Sequence, residues 1–135
     1  MRYVVGLGCR RGCALSQLRD LLLHTLALHE LPLSALAGLA SSQHKQAEAG
    51  LLQLASELQI PLYWLSPAQL QPYDARLSQR SELSRQLTGS AGVAEASALA
   101  QAESLTGGRA RLLGPRQHNA SATCAIAVAP SMEPA

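Results

Sequence analysis

The run Tyr3-Val-Val-Gly-Leu-Gly-Cys-Arg-Arg-Gly-Cys-Ala14 constrains the chain more than any other stretch. Tyr3, Val4 and Val5 read as a short apolar strand. Gly6, Gly8 and Gly12 space a tight turn, and a Leu-rich helical pattern begins at Cys13. Strand, glycine turn and helix are the first half of a βαβ unit. At such a turn, backbone N–H groups and a helix N-terminus point outward together, and this favours anions. Arg10 and Arg11 add positive charge inside it. Gly8, Cys9, Arg10, Arg11 and Gly12 therefore read as the floor of a site for a negatively charged small molecule. In the alternative reading the glycines only make a compact turn and the arginines are solvated.

The spacing narrows the ligand. Gly-x-Gly-x-x-x-Gly is one residue longer than the dinucleotide fingerprint, and no acidic residue closes a second strand about 20 residues on. No Gly-Lys-Ser/Thr follows, so this is not a Walker loop. A nucleotide-binding module is the weakest of the readings.

Leu15, Leu18, Leu22 and Leu26 mark one face of a first helix that ends near Glu30, before Pro32. Leu33 to Ala40 fits a buried strand. The polar Ser41 to His44 loop leads into a helix from about Lys45 to Leu58, with Leu51, Leu54, Ala55 and Leu58 inward. Gly50 inside that helix costs about 1 kcal/mol relative to Ala, so a bend or a tight contact is expected there. Ile60 to Leu65 is a third strand, and Ser66-Pro67 opens a short helical turn. Tyr73 to Ser81 reads as an irregular loop and Glu82 to Leu87 as a weak helix. Ser90 is a candidate N-cap for a helix from Ala91 to about Glu103, stopped by Gly107 and Gly108. Arg109–Leu113 and Ala122–Ala129 make a hairpin across a polar Gly114–Ala120 loop. Both rows of the last strand are apolar, so it should be covered on both faces.

The expected fold is a three-layer α/β sandwich with a mainly parallel sheet and an antiparallel C-terminal hairpin. Residues 1–130 form one domain, and 131–135 a flexible tail. In such sheets ligands bind beyond the carboxyl ends of the strands, so Gly6–Gly12, Ser41–Lys45 and Thr88–Gly92 should share one rim.

Composition supports a packed domain. Of the 135 residues, 47% are hydrophobic and 15% charged, which is globular rather than disordered. With no Phe, one Trp and three Tyr, the core must be Leu, Ala and Val, and Ala-rich surfaces let helices sit close to a sheet. A net charge of +2 without a Lys/Arg run argues against nucleic acid. Gln17, Arg19, Asp20 and His24 interrupt the Leu-rich stretch, so it is an amphipathic helix and no membrane partner is expected. Three cysteines and no secretion signal point to the cytoplasm.

Several residues could carry chemistry. Glu95 follows Gly92 in an Ala-rich helix. It is either a general acid or base facing the rim, or a first-turn Glu worth about 0.3–1 kcal/mol through the helix dipole. Lys45, the one lysine among eleven basic residues, is either a carboxylate-binding or catalytic amine, or a solvated residue at a helix start. Cys9 and Cys13 would face each other only if both were helical. Cys13 at a helix N-terminus is a candidate for a lowered thiol pKa, although small buried cysteine is the preferred reading for both and for Cys124. No third and fourth ligand stand at metal spacing, so no metal site is expected. His44 and His118 are loop residues that could face the site. Tyr63, Trp64 and Tyr73 could stack on a flat ligand, with a near-core place preferred for the first two.

Several segments together resemble a known family. They are Gly6-Leu-Gly-Cys-Arg-Arg-Gly12, Leu39-Ala-Ser41 followed by Lys45, Glu48-Ala-Gly-Leu-Leu52, Gly92-Val-Ala-Glu-Ala96 and Ala122-Thr-Cys-Ala-Ile-Ala127. In order, over nearly the whole chain, they resemble the C-terminal domain of CbiG cobalamin biosynthesis proteins and its short stand-alone CobE form. The resemblance implies a role in building the corrin ring of vitamin B12. CbiG-like proteins open a ring lactone and release acetaldehyde in the anaerobic branch, and CobE-like proteins belong to the aerobic branch. Only the C-terminal part is matched. Gln43 and His44 precede Lys45 where the family often carries Asp, and Arg116 stands where it often carries Lys. The implied partners are an anionic precorrin and other enzymes of the pathway; no cofactor is called for. Arg10, Arg11, the loop amides and Lys45 would meet its carboxylates, with Ser41, Gly92 and Arg116 also ligand-binding. Two classes of function follow. One is a non-catalytic carrier of a labile tetrapyrrole. The other is an enzyme working on a corrin precursor through Glu95 and Lys45.

Overall fold

The computed structural model describes residues 1–76 and 92–130. Its strands are β1 (Arg2–Cys9), β2 (Leu36–Ser42), β3 (Leu62–Leu65), β4 (Arg111–Leu112), β5 (Gln117–His118) and β6 (Ala122–Ala129). Its helices are α1 (Leu15–Leu28), α2 (Ala49–Leu58), α3 (Pro67–Leu70) and α4 (Val93–Thr106). The sheet order is β3-β2-β1-β6-β4, with β5 also paired to β6. β1, β2 and β3 are parallel, and β6 runs antiparallel to β1, β4 and β5. This is the expected three-layer α/β architecture with its antiparallel C-terminal end. No helix among the described residues is long and apolar enough to cross a membrane.

The alternation along β1 sorts the two cores. Val5 and Leu7 pack with Leu18, Leu22, Leu51 and Leu54 under α1 and α2. Val4 packs with Ala96, Ala98, Leu99 and Ala102 of α4 on the opposite face. β6 follows the same rule, with Cys124 and Ile126 in the first core and Ala127 and Ala129 in the second. Its two apolar rows are thus covered on both sides, because neither face of a strand between two helical layers meets water.

Several boundaries depart from the sequence reading. β1 runs on to Cys9, so Gly6 and Gly8 lie within the strand and not in the turn. They point to the α4 face. A Cβ on Gly6 would overlap the Ala94 carbonyl oxygen and lie 2.8 Å from Ser97 Oγ. The glycine therefore serves the close approach of helix to sheet rather than chain reversal. Only Gly12 shows the turn property, with φ +76° and open space around it.

α1 starts at Leu15 rather than Cys13 and ends where Glu30 takes φ 55°. Leu33–Ala35 form a 3-10 turn, and the second strand continues to Ser42. Lys45 closes a 3-10 turn, Gln43–Lys45, and α2 begins at Ala49, so Lys45 is not at the start of that helix. The third strand begins at Leu62, two residues late. The loop expected at Gly114–Ala120 contains β5. Gln71–Arg76 form a 3-10 helix where irregular chain was expected from Tyr73. α4 is capped by Gly92 and continues to Thr106. The expected helix at Glu82–Leu87, the Ser90 cap and the 131–135 tail lie outside the described residues.

Candidate functional site

The carboxyl ends of β1 and β2, with the loops that leave them, carry most of the candidate residues. β1 delivers Gly8 and Cys9 to this edge, and the loop Arg10–Ala14 turns toward α1. Arg10 N–H donates to the Ser121 carbonyl at 2.8 Å and Cys13 N–H to the Arg10 carbonyl at 3.1 Å. Gly12 N–H donates to Glu48 Oε2 at 2.9 Å. Three of the loop amides expected to meet an anion are thus already used inside the protein. The positive charge comes from the side chains. Arg10 and Arg11 are exposed, and neither makes an ion pair among the described residues. The N-cap of α1, Ala14, offers no side-chain cap, leaving the positive end of the helix dipole next to the loop.

Cys9, Cys13, Lys45 and Glu48 gather under this loop on the α1–α2 face. Cys9 lies at the strand end and Cys13 in the loop, yet their thiols lie close enough to perturb each other. The expectation that they meet only on a helix is corrected: a turn closed by the Arg10–Cys13 hydrogen bond brings them together. Burial pushes the Cys9 thiol up to about 12; Cys13 and Glu48 also raise it, while the Lys45 charge opposes them. Burial likewise raises Cys13, and Glu48 adds to it. The lowered thiol pKa expected of Cys13 is thus corrected: burial, with the Glu48 charge, pushes it up, against the lowering by Cys9 and Lys45. Lys45 is half-buried beside Cys9.

The other candidates are placed differently. Ser41 is fully buried, and its Oγ donates to the Leu7 carbonyl at 2.6 Å, tying β2 to β1. Gly8 faces Val93 and Thr123; a Cβ there would lie 2.7 Å from Thr123 Oγ1. Gly92 caps α4 behind that strand end, and Glu95 in the first turn of α4 is completely buried. Lys45 and Glu95 thus lie at one end of the sheet but on opposite faces. Arg116 immediately precedes β5, beyond β6, and the β5–β6 register sets it back from the edge that bears Arg10 and Arg11. His118 pairs with Thr123 and is exposed, as is His44. Trp64 packs against the first core, Tyr63 lies over Gly38, and Tyr73 donates to Glu103 Oε1 at 2.8 Å. Among the described residues no group of three or more His, Cys, Asp or Glu is arranged to hold a metal ion.

Glu48 was not singled out as a site residue. Its role depends on a contact 36 residues away in sequence; the sequence offered it only as the first residue of a family-like segment, with nothing to name its partner.

The family described as "Cobalamin synthesis G C-terminus" matches residues 3–127. The crystal structure of CobE, a protein from the cobalamin (vitamin B12) biosynthetic pathway, is 46% identical with a TM-score of 0.89, covering 93% of this chain and 91% of that one. A cobalamin biosynthesis protein chiG from Agrobacterium tumefaciens str. C58 is 28% identical with a TM-score of 0.72, over 94% of this chain and 98% of its own. A cobalt-precorrin-5A hydrolase of Priestia megaterium is 28% identical over 95 residues, which are 70% of this chain but only 25% of that protein. The chain therefore spans about a quarter of the length of that relative. With its family matched over almost every residue and its fold shared with CobE, the chain belongs to the cobalamin synthesis G C-terminal family and is a cobalamin biosynthesis protein of the CobE/CbiG type.

Proposed function

We propose that the carboxyl-end edge of the sheet binds an anionic corrin precursor of the aerobic pathway, with Arg10 and Arg11 as its carboxylate anchors. Such precursors carry acetate and propionate groups around an apolar macrocycle. A planar guanidinium can engage both oxygens of one carboxylate, and a pair of them suits a ligand with several. The observation that carries this reading is the pair of exposed arginines, outside any ion pair among the described residues, on a loop pinned by its own backbone bonds. Similarity to CobE over 93% of the chain supports the choice of ligand class.

A carrier that holds a labile tetrapyrrole fits better than a catalyst built on Glu95 and Lys45. Those two groups lie on opposite faces of the sheet, and Glu95 is buried. The test is to titrate the protein with a series of precorrins, following both retention and mass. Retention without a mass change is expected. The double variant Arg10→Ala/Arg11→Ala should bind at least about tenfold more weakly, a loss of about 1.4 kcal/mol, and the gap should shrink with added salt. Binding that the double variant leaves unaltered overturns the anchor assignment. A new mass in the incubation moves the protein to the enzyme reading.

A further inference from the structure

We propose that Glu48 is a positioning residue for the arginine loop: its carboxylate holds Gly12 and so sets where Arg10 and Arg11 stand. The inference rests on the binding reading above for its purpose, but its geometry is independent of any ligand.

The start of α2 touches the loop at two successive points. Glu48 Oε2 accepts from Gly12 N–H at 2.9 Å. Two residues on, Gly50 lies against the end of the loop, where a Cβ would overlap the Cys13 carbonyl oxygen and meet Leu18 Cδ1 at 3.2 Å. The loop is also tied to β6 through Arg10 N–H and Ser121 O, so its backbone is held on both sides of Arg11.

The choice of residue points the same way. Glu48 occupies the N-cap of α2, with φ −75° and ψ 108°, yet makes no side-chain cap bond to its own helix. Asp, Asn or Ser at this position would cap α2 well; Glu is longer and reaches past it. The side chain here serves the loop 36 residues back in sequence rather than the helix it opens. Gly12 takes φ +76° without strain, as glycine can, and nothing lies within 4 Å of its Cβ position, so packing at that point does not hold the loop and the Glu48 bond does.

Glu48→Asp, Glu48→Ala and Glu48→Gln separate the possibilities. Asp can cap α2 and keep the fold, but it is one methylene too short to reach Gly12; Gln keeps the length and an acceptor oxygen. The first readout is limited trypsin cleavage after Arg10 and Arg11, which reports how often the loop opens. The second is affinity for uroporphyrin, a tetrapyrrole polycarboxylate. In Glu48→Asp and Glu48→Ala, cleavage should be about tenfold faster and uroporphyrin binding weaker by roughly three- to tenfold. Glu48→Gln should restore the wild-type cleavage rate and bind uroporphyrin as tightly or more tightly, since it also removes a negative charge. Wild-type cleavage and affinity in Glu48→Asp would overturn the proposal. So would tighter binding by Glu48→Ala, which would make Glu48 a competitor for the Gly12 amide. If wild-type protein fails to bind any carboxylated tetrapyrrole, the binding reading falls while the trypsin comparison still decides the role of Glu48.

Discussion

At Gly6 one absent methyl group sets the distance between the central strand and α4. Any side chain there would run into backbone, the Ala94 carbonyl, which cannot rotate away. Gly6→Ala should therefore destabilise the protein by about 1–3 kcal/mol or more, read as a lowered Tm or denaturation midpoint. An unchanged midpoint would show that α4 can shift outward freely. The spacing of Gly6 and Gly8 was legible in the sequence but its purpose was not, since a turn and a close helix contact both ask for glycine. The cysteines show a similar limit. Their identity suggested small buried residues, yet the pairing of Cys9 with Cys13 follows from a turn closed at Arg10. Burial holds the Cys9 and Cys124 thiols at about 12, up from 9.0. Both should react slowly with disulfide reagents in native protein at neutral pH and fast once the chain is unfolded. Rapid native labelling of Cys9 would contradict its desolvation.

At the scale of the element, α4 is unusual because its buried residues run round the whole helix, from Val93 to Ala102. An amphipathic stripe is absent because both sides are covered, and alanine is what allows so close an approach. Ala98 is fully buried in the core with Val4, Ala40 and Ala127. Ala98→Leu should cost about 1–3 kcal/mol through overpacking, measured by chemical denaturation, whereas the same change on the exposed face of α1 at Ala27 should cost little. The far end of α4 is clasped by Glu103, whose two oxygens accept from Tyr73 Oη and Ala110 N–H, each at 2.8 Å. Alanine-rich composition announced close packing. It could not announce which strand glycines α4 would lie on, nor that the helix would run three residues further than its polar end suggested.

For the whole molecule, the raised thiols translate into a pH dependence. A group whose unfolded pKa is lower than its folded one binds fewer protons when unfolded, so stability falls as pH rises between the two values. For Cys9 and Cys124 that window lies between 9.0 and about 12. The denaturation midpoint should decline through it, and replacing Cys124 by Ser should flatten the decline while adding its own packing cost. A midpoint indifferent to pH over that range would contradict the burial of both thiols.

The order of strands and helices, the three-layer class and the arginines beyond the end of β1 were all written in local pattern, because hydrophobic period and glycine punctuation act over a few residues. Only the assembled sheet decided that Gly6 lies beneath Ala94, that Glu48 reaches Gly12 and that Lys45 and Glu95 stand on opposite faces. Those relations join residues tens of positions apart, and they come into being only when two helical layers close on one sheet.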